Sequence, residues 1–149
     1  MRAVVQRVKH AQVTVAGETV GRIEHGLLAL IGAEEGDDDK DRQYIEDKLC
    51  GLRVFEDAQG KMNLSVQDVH GRILLVSQFT LMGDARHGRR PSFSRAARPE
   101  LAEPMIEQMA AGIAARGVPV ETGRFQAHME VTLLNDGPVT LLLDSRKGF

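Results

Sequence analysis

Within the run Ile73-Leu74-Leu75-Val76-Ser77-Gln78-Phe79-Thr80-Leu81, an apolar β-branched stretch acquires Ser, Gln and Thr inside four positions. Such side chains can hold and orient a polar ligand at a strand's end. Otherwise their hydrogen bonds must be satisfied inside the fold. The plainest arrangement is a strand leaving the core, with Ser77 and Thr80 bonded to neighbouring backbone. Ser77 is not on a Gly-x-Ser-x-Gly elbow, so a Ser/His/acid triad is not indicated. Thr80 is the one candidate covalent nucleophile, but no neighbouring base is evident to activate it. The five histidines, His10, His25, His70, His87 and His128, show no two-His helical spacing and no pairing with Cys50. No metal site and no cofactor are therefore expected. Residues 83–90 put glycines near cations but lack the Gly-Lys-Ser/Thr ending of a phosphate loop, which removes support for nucleotide hydrolysis.

Two other stretches carry chemical potential. The segment from Asp84 to Arg98 holds Arg86, His87, Arg89, Arg90, Arg95 and Arg98 against one acid, with Phe93 between them. A solvated loop whose arginines pair with helix acids is one reading. The favoured reading is a phosphate-binding collar beside the Ser77–Thr80 strand, with Arg86, Arg89 and Arg90 contacting RNA phosphates. Further on, Asn135-Asp136-Gly137-Pro138-Val139-Thr140 lies between two more apolar runs. Turn statistics alone make it an ordinary Asn-Asp-Gly-Pro turn.

These residues need a scaffold. A chain of 149 residues with 42% hydrophobic content can bury a real core as one domain, residues 1–149. The net charge of −2 excludes a polycation that coats nucleic acid, so any RNA must be met by a local patch. A single cysteine fits a reducing compartment, and no apolar run approaches membrane-spanning length, which reads as a soluble cytoplasmic protein without a membrane partner. Val-rich segments 2–8 and 12–16 and the stretch Thr19–Ile23 predict three opening strands. The unbroken run Leu27–Ile31 predicts a central strand covered on both faces. The acidic loop 34–39 predicts an N-cap for an amphipathic helix through about residue 52, with a solvated charged face. A hairpin follows over 53–64. Leu101, Met105, Ile106, Met109 and Ile113 form an apolar stripe on a second helix that Pro99 opens and Gly117 closes. Segments 128–134 and 139–143 predict a closing pair of strands. The fold class is α+β, with an antiparallel or mixed sheet that curls into a barrel-like core with two main helices.

Taken together, Val4-Val5-Gln6-Arg7-Val8 with Ala11, Gly26-Leu27-Leu28, Ser77-Gln78-Phe79-Thr80-Leu81, Arg90-Pro91-Ser92-Phe93, Thr122-Gly123-Arg124-Phe125 with Met129, and Asn135-Asp136-Gly137-Pro138-Val139-Thr140 resemble, in order, the pattern of the D-aminoacyl-tRNA deacylase family. The resemblance implies a homodimeric enzyme that hydrolyses the ester between a D-amino acid, or glycine on a mischarged tRNA, and the 3′ terminal adenosine of the aminoacyl-tRNA. It implies catalysis at Ser77, Gln78, Phe79 and Thr80. It also implies a cis Gly137-Pro138 peptide that reaches into the partner's site as a chiral filter, with Arg7 supporting it, and a pocket shaped by Phe125, Met129 and Ala102. An ester hydrolase without a conventional nucleophile suits these residues. An aminoacyl ester is already labile, and one backbone donor, the N–H of Phe79 or Thr80, can contribute about 10²–10³ in rate. The alternatives are a non-catalytic dimeric RNA-binding barrel and a regulator that binds a small metabolite.

Overall fold

Alternating burial runs the length of residues 2–15, and these form one strand, β1 (Arg2–Val15), where two shorter ones were expected. The reason lies in its partner. β8 (Glu130–Asp144) is also continuous and runs antiparallel to β1 along almost its whole length. The expected closing hairpin around Asn135-Asp136-Gly137 therefore does not form. Gln6 faces Thr140 and Val8 faces Asn135, so residues 136–139 stand opposite Arg7 alone and are extruded as a bulge. Across this irregularity the inward side of β1 changes, from Ala3 and Val5 to Val8, Ala11 and Val13.

The other edge of β1 pairs first with β3 (Gly26–Gly32) and then with β2 (Glu18–Ile23). β6 (Arg72–Ser77) lies parallel to β3, and β7 (Val120–Thr122), a strand with no clear signal in its sequence, lies parallel to β6. Residues 1–149 are described throughout this computed structural model, and their main sheet runs β2-β1-β3-β6-β7 with β8 on β1. β3 is the central, doubly covered strand that its composition predicts. Leu27, Ala29 and Ile31 face a 19-residue core shared with the helices, while Leu28 joins a second core of seven residues inside the curl of the sheet. The sheet nearly closes where β2 meets β7. At Gly21 an added Cβ would lie 2.3 Å from the Thr122 carbonyl oxygen, so only glycine permits this approach. Closure brings the segment after β7 towards the end of β6.

Helix α1 (Asp39–Gly51) starts at Asp38, whose carboxylate accepts from the Lys40 and Asp41 amides while Asp41 caps in return. Its polar face is not wholly solvated as expected. Glu46 is buried and pairs with Arg42 on α1 and Arg116 beyond α2 (Pro99–Ala115), tying the helices together. On α2 the stripe holds at Ile106, Met109 and Ile113, but Leu101 is exposed, because the first turn of the helix projects beyond the core. The small sheet of β4 (Phe55–Glu56) and β5 (Met62–Leu64) is the predicted hairpin. Cys50 is a buried thiol at the end of α1, and burial pushes its pKa up.

Candidate active site

β6 ends at Ser77, earlier than its apolar run suggests, because Gln78 turns the chain and Phe79–Met82 forms a 3-10 turn. The last bond of the β3–β6 ladder runs from the Gln78 N–H to the Ile31 carbonyl at 2.7 Å, and the Leu81 N–H then closes the turn on the Gln78 carbonyl. The N–H groups of Phe79 and Thr80 open the 3-10 turn, so neither has an acceptor within it. They lie side by side where a strand gives way to solvent, with Phe79 56% exposed.

Ser77, Gln78, Phe79 and Thr80 form one wall of a pocket of about 530 Å³, within the range of small-molecule sites. Ala102 and Ile106 from α2 form a second wall, and Phe125 and Met129 form a third. Seven of the expected residues therefore converge on one cavity. Ala33, Ala96, Ala97, Pro99, Gln126 and Ala127 also line it, and sequence reasoning missed them because alanines in loops carry no chemical signature. Gln126 had a weak signal in following the Gly123-Arg124-Phe125 stretch, and its φ of 62° turns the chain into the pocket.

None of the 14 lining residues has an acidic or basic side chain. The Thr80 hydroxyl accepts a hydrogen bond from the Gln78 amide at 3.1 Å and has no histidine or carboxylate beside it. The pocket can orient a polar substrate and donate main-chain hydrogen bonds, but it has no side-chain general base. Thr80→Ala is accordingly expected to retain measurable ester hydrolysis, with no acyl-enzyme detected by mass spectrometry after rapid quench.

The basic segment is tied against this site. Phe93 packs edge-on to Phe79 with ring centroids 5.3 Å apart, and Asp84 and Ser92 exchange backbone hydrogen bonds of 2.7 and 2.9 Å that close the loop between them. Arg95 is held by the buried Glu34 carboxylate. Arg86 lies against Asp84, and its hydrogen bonds hold the Asp84 carboxyl well below the usual range. Arg89 and Arg90, at the exposed tip, make no ion pair and so present free guanidinium groups. Arg86 is thus partly neutralised, leaving Arg89 and Arg90 as the freer pair for phosphate.

Gly137 and Pro138 lie elsewhere. The peptide between them is cis, both residues are exposed, and neither lines the pocket of its own chain. The bulge that carries them is fixed from below. Arg7, buried beneath it, donates from Nε to the Asp136 carbonyl at 3.0 Å and from Nη1 to the Val54 carbonyl at 2.8 Å. The Asn135 amide donates to the carbonyls of Arg7 and Val139, closing the base of the bulge. Gly137 has φ +132°, a conformation that L side chains rarely adopt.

The fold and pocket define a barrel-like α+β protein with a pocket free of charged side chains and a main-chain bulge braced by Arg7. The sequence pattern of D-Tyr-tRNA(Tyr) deacylase matches residues 4–144, and the chain belongs to that family. It is 58% identical over 149 residues to the D-aminoacyl-tRNA deacylase of Symbiobacterium thermophilum, covering 100% of this chain and 99% of that one. It is 60% identical over 149 residues to that of Desulfitobacterium hafniense, covering 100% of both. Among solved structures, one described as a c-Myc DNA unwinding element binding protein superposes with a TM-score of 0.92 at 40% identity, over 97% of this chain and 98% of that one. A probable eukaryotic D-amino acid tRNA deacylase superposes with a TM-score of 0.81 over 96% and 98% of the two chains, and at 17% identity it bears on the fold alone. No helix is long and apolar enough to cross a membrane.

Proposed function

We propose that this chain hydrolyses the ester linking a D-amino acid, or mischarged glycine, to the terminal adenosine of tRNA, and rejects L-aminoacyl-tRNA. The observation that carries this reading is the pocket without acidic or basic side chains beside two N–H groups that open the Phe79–Met82 turn. Such a site suits only an ester that is already activated. Water adds to the ester carbonyl, the Phe79 and Thr80 N–H groups stabilise the resulting oxyanion, and as the C–O bond to ribose breaks the proton lost by the water passes to the departing ribose oxygen, releasing amino acid and tRNA. Ser77 and Gln78 hold the adenosine or the amino group, with Phe125, Met129 and Ala102 shaping the space around them.

Stereochemical selection is assigned to Gly137 and Pro138 of a second copy in a two-fold dimer. Every L- and D-residue differs in the same way at Cα, so a rigid main-chain wall there rejects all L-forms together, whereas a side-chain pocket would discriminate unevenly. Glycine lacks the offending substituent and passes. Three features support supply from a partner: the exposed bulge, its absence from its own chain's pocket, and β8 having β1 as its only strand neighbour with Leu134 and Leu142 exposed.

Incubation with D-tyrosyl-tRNA and L-tyrosyl-tRNA tests this reading, since a non-catalytic nucleic-acid barrel leaves both esters intact. Replacing Arg89 and Arg90 together with alanine is expected to weaken tRNA binding and reduce the slope of log K against log salt by about 1–2, as two phosphate contacts are lost. An unchanged slope in filter binding contradicts the phosphate collar.

A further inference from the structure

Next to the main pocket lies a second cleft of about 250 Å³ that takes no part in the hydrolysis proposed for the first. Ser77, Ile106 and Phe125 line both, so the two are neighbouring compartments separated by these three side chains. The chemistry changes abruptly across that partition. The second cleft is edged by Glu103 and Glu107 of α2, by the Thr122 hydroxyl and by Arg124. Glu103 and Glu107 are four residues apart, so their carboxylates stand on the same face of the helix. All three charged residues are exposed, and none takes part in an ion pair or side-chain hydrogen bond, although acids and a cation edge the same cleft. The cleft therefore offers two carboxylate acceptors on one side and a free guanidinium on the other.

We propose, building on the deacylase reading, that this cleft binds the nucleotide preceding the terminal adenosine. Glu103 and Glu107 accept hydrogen bonds from the exocyclic amino group of its base, and Arg124 meets the phosphate joining the two nucleosides. The 3′ end of tRNA carries cytidine at that position. Cytosine presents an N4 amino donor, which a carboxylate recognises, and uracil presents a carbonyl oxygen in its place, which two carboxylates repel. Arginine grips phosphate oxygens in a fork, while a phosphate alone would be turned away by the acids, so the arrangement requires an amino-bearing base and a phosphate together. Volume agrees, since the cleft has room for a pyrimidine but is about half the size of the adenosine pocket.

The test uses the full chain and three small esters, 3′-O-D-tyrosyl-CpA, 3′-O-D-tyrosyl-UpA and 3′-O-D-tyrosyl-adenosine. For the wild type, kcat/KM for the CpA ester should exceed that for the adenosine ester and should exceed that for UpA by about five- to a hundredfold. The double substitution Glu103→Gln and Glu107→Gln should narrow the CpA-over-UpA preference, because an amide can donate to the uracil oxygen. Arg124→Gln should lower the CpA and UpA esters together towards the adenosine ester. Equal kcat/KM for CpA and UpA in the wild type overturns the proposal, and this comparison needs no variant to fold. Variants that slow all three esters equally also overturn it, since the carboxylates would then serve the amino group of the amino acid or the fold. If D-tyrosyl-tRNA itself is not cleaved, the deacylase reading fails first and takes this proposal with it.

Discussion

Phe79→Pro is expected to lower kcat for D-aminoacyl-tRNA about 10²–10³-fold relative to Phe79→Ala, the loss that follows removal of one oxyanion donor. Both variants remove the aromatic ring and its edge contact with Phe93, so their difference isolates the main-chain N–H. Proline is tolerable at this position. Phe79 is the first residue of the 3-10 turn, where the N–H has no acceptor within the turn, and Gln78 before it has φ −145° and ψ 89°, outside the helical region that a following proline disfavours. The substitution thus deletes a donor without deleting a structural hydrogen bond. Single-turnover kinetics with unchanged thermal stability would give the comparison its meaning, and equal rates for the two variants would remove Phe79 N–H from the mechanism.

Mixing two inactive variants should restore activity. Gly137→Ala places a methyl group where φ is +132°, at a strain of about 1–3 kcal/mol, with its Cβ 2.9 Å from Val139 Cγ2 and 3.0 Å from Arg7 Nη2. The Val139 backbone nitrogen also lies 3.1 Å away and Arg7 is anchored by its own hydrogen bonds, so the bulge itself must move to admit the methyl group, and the chain is expected to fold with its wall displaced and D-ester hydrolysis impaired. Phe79→Pro spoils the pocket and leaves the wall intact. In a mixed dimer, the sound pocket of one copy faces the sound Gly137-Pro138 of the other. Random re-pairing makes half of the dimers mixed, each with one complete site of two, so about a quarter of wild-type activity should return. Activity no greater than that of the unmixed variants would show that each chain supplies its own wall.

Much of this architecture can be read from side-chain periodicity. The doubly buried β3, the capped α1 and the Ile106-Met109-Ile113 stripe all announce themselves, because burial on a regular element imposes a period on the sequence. The misreadings have a common physical origin in backbone irregularity set by a distant partner. Residues 135–140 have the composition of a turn, and only the pairing of β8 with β1 on both sides makes them a bulge in one strand. Ser77 ends β6 because the Leu81 N–H closes a 3-10 turn onto the Gln78 carbonyl immediately after the last ladder bond, which Gln78 makes to Ile31 across 47 positions of sequence. Arg7 looks like an ordinary alternating strand residue and becomes the buried support of the bulge only when Val54 and Asp136 are brought to it. The small residues lining the pocket stayed silent for the opposite reason: they contribute space, and space has no residue type.

Discrimination at Cα by main chain is tested directly by one set of time courses. Alanyl, aspartyl and tyrosyl esters on tRNA, each in D and L form, together with glycyl-tRNA, are incubated with the wild-type chain and the remaining ester is measured. The prediction is that all three D-esters and the glycyl ester are cleaved, and that all three L-esters survive with discrimination that does not follow side-chain size or charge. Cleavage of L-alanyl-tRNA alongside survival of L-tyrosyl-tRNA would contradict it, because selection would then lie in a side-chain pocket.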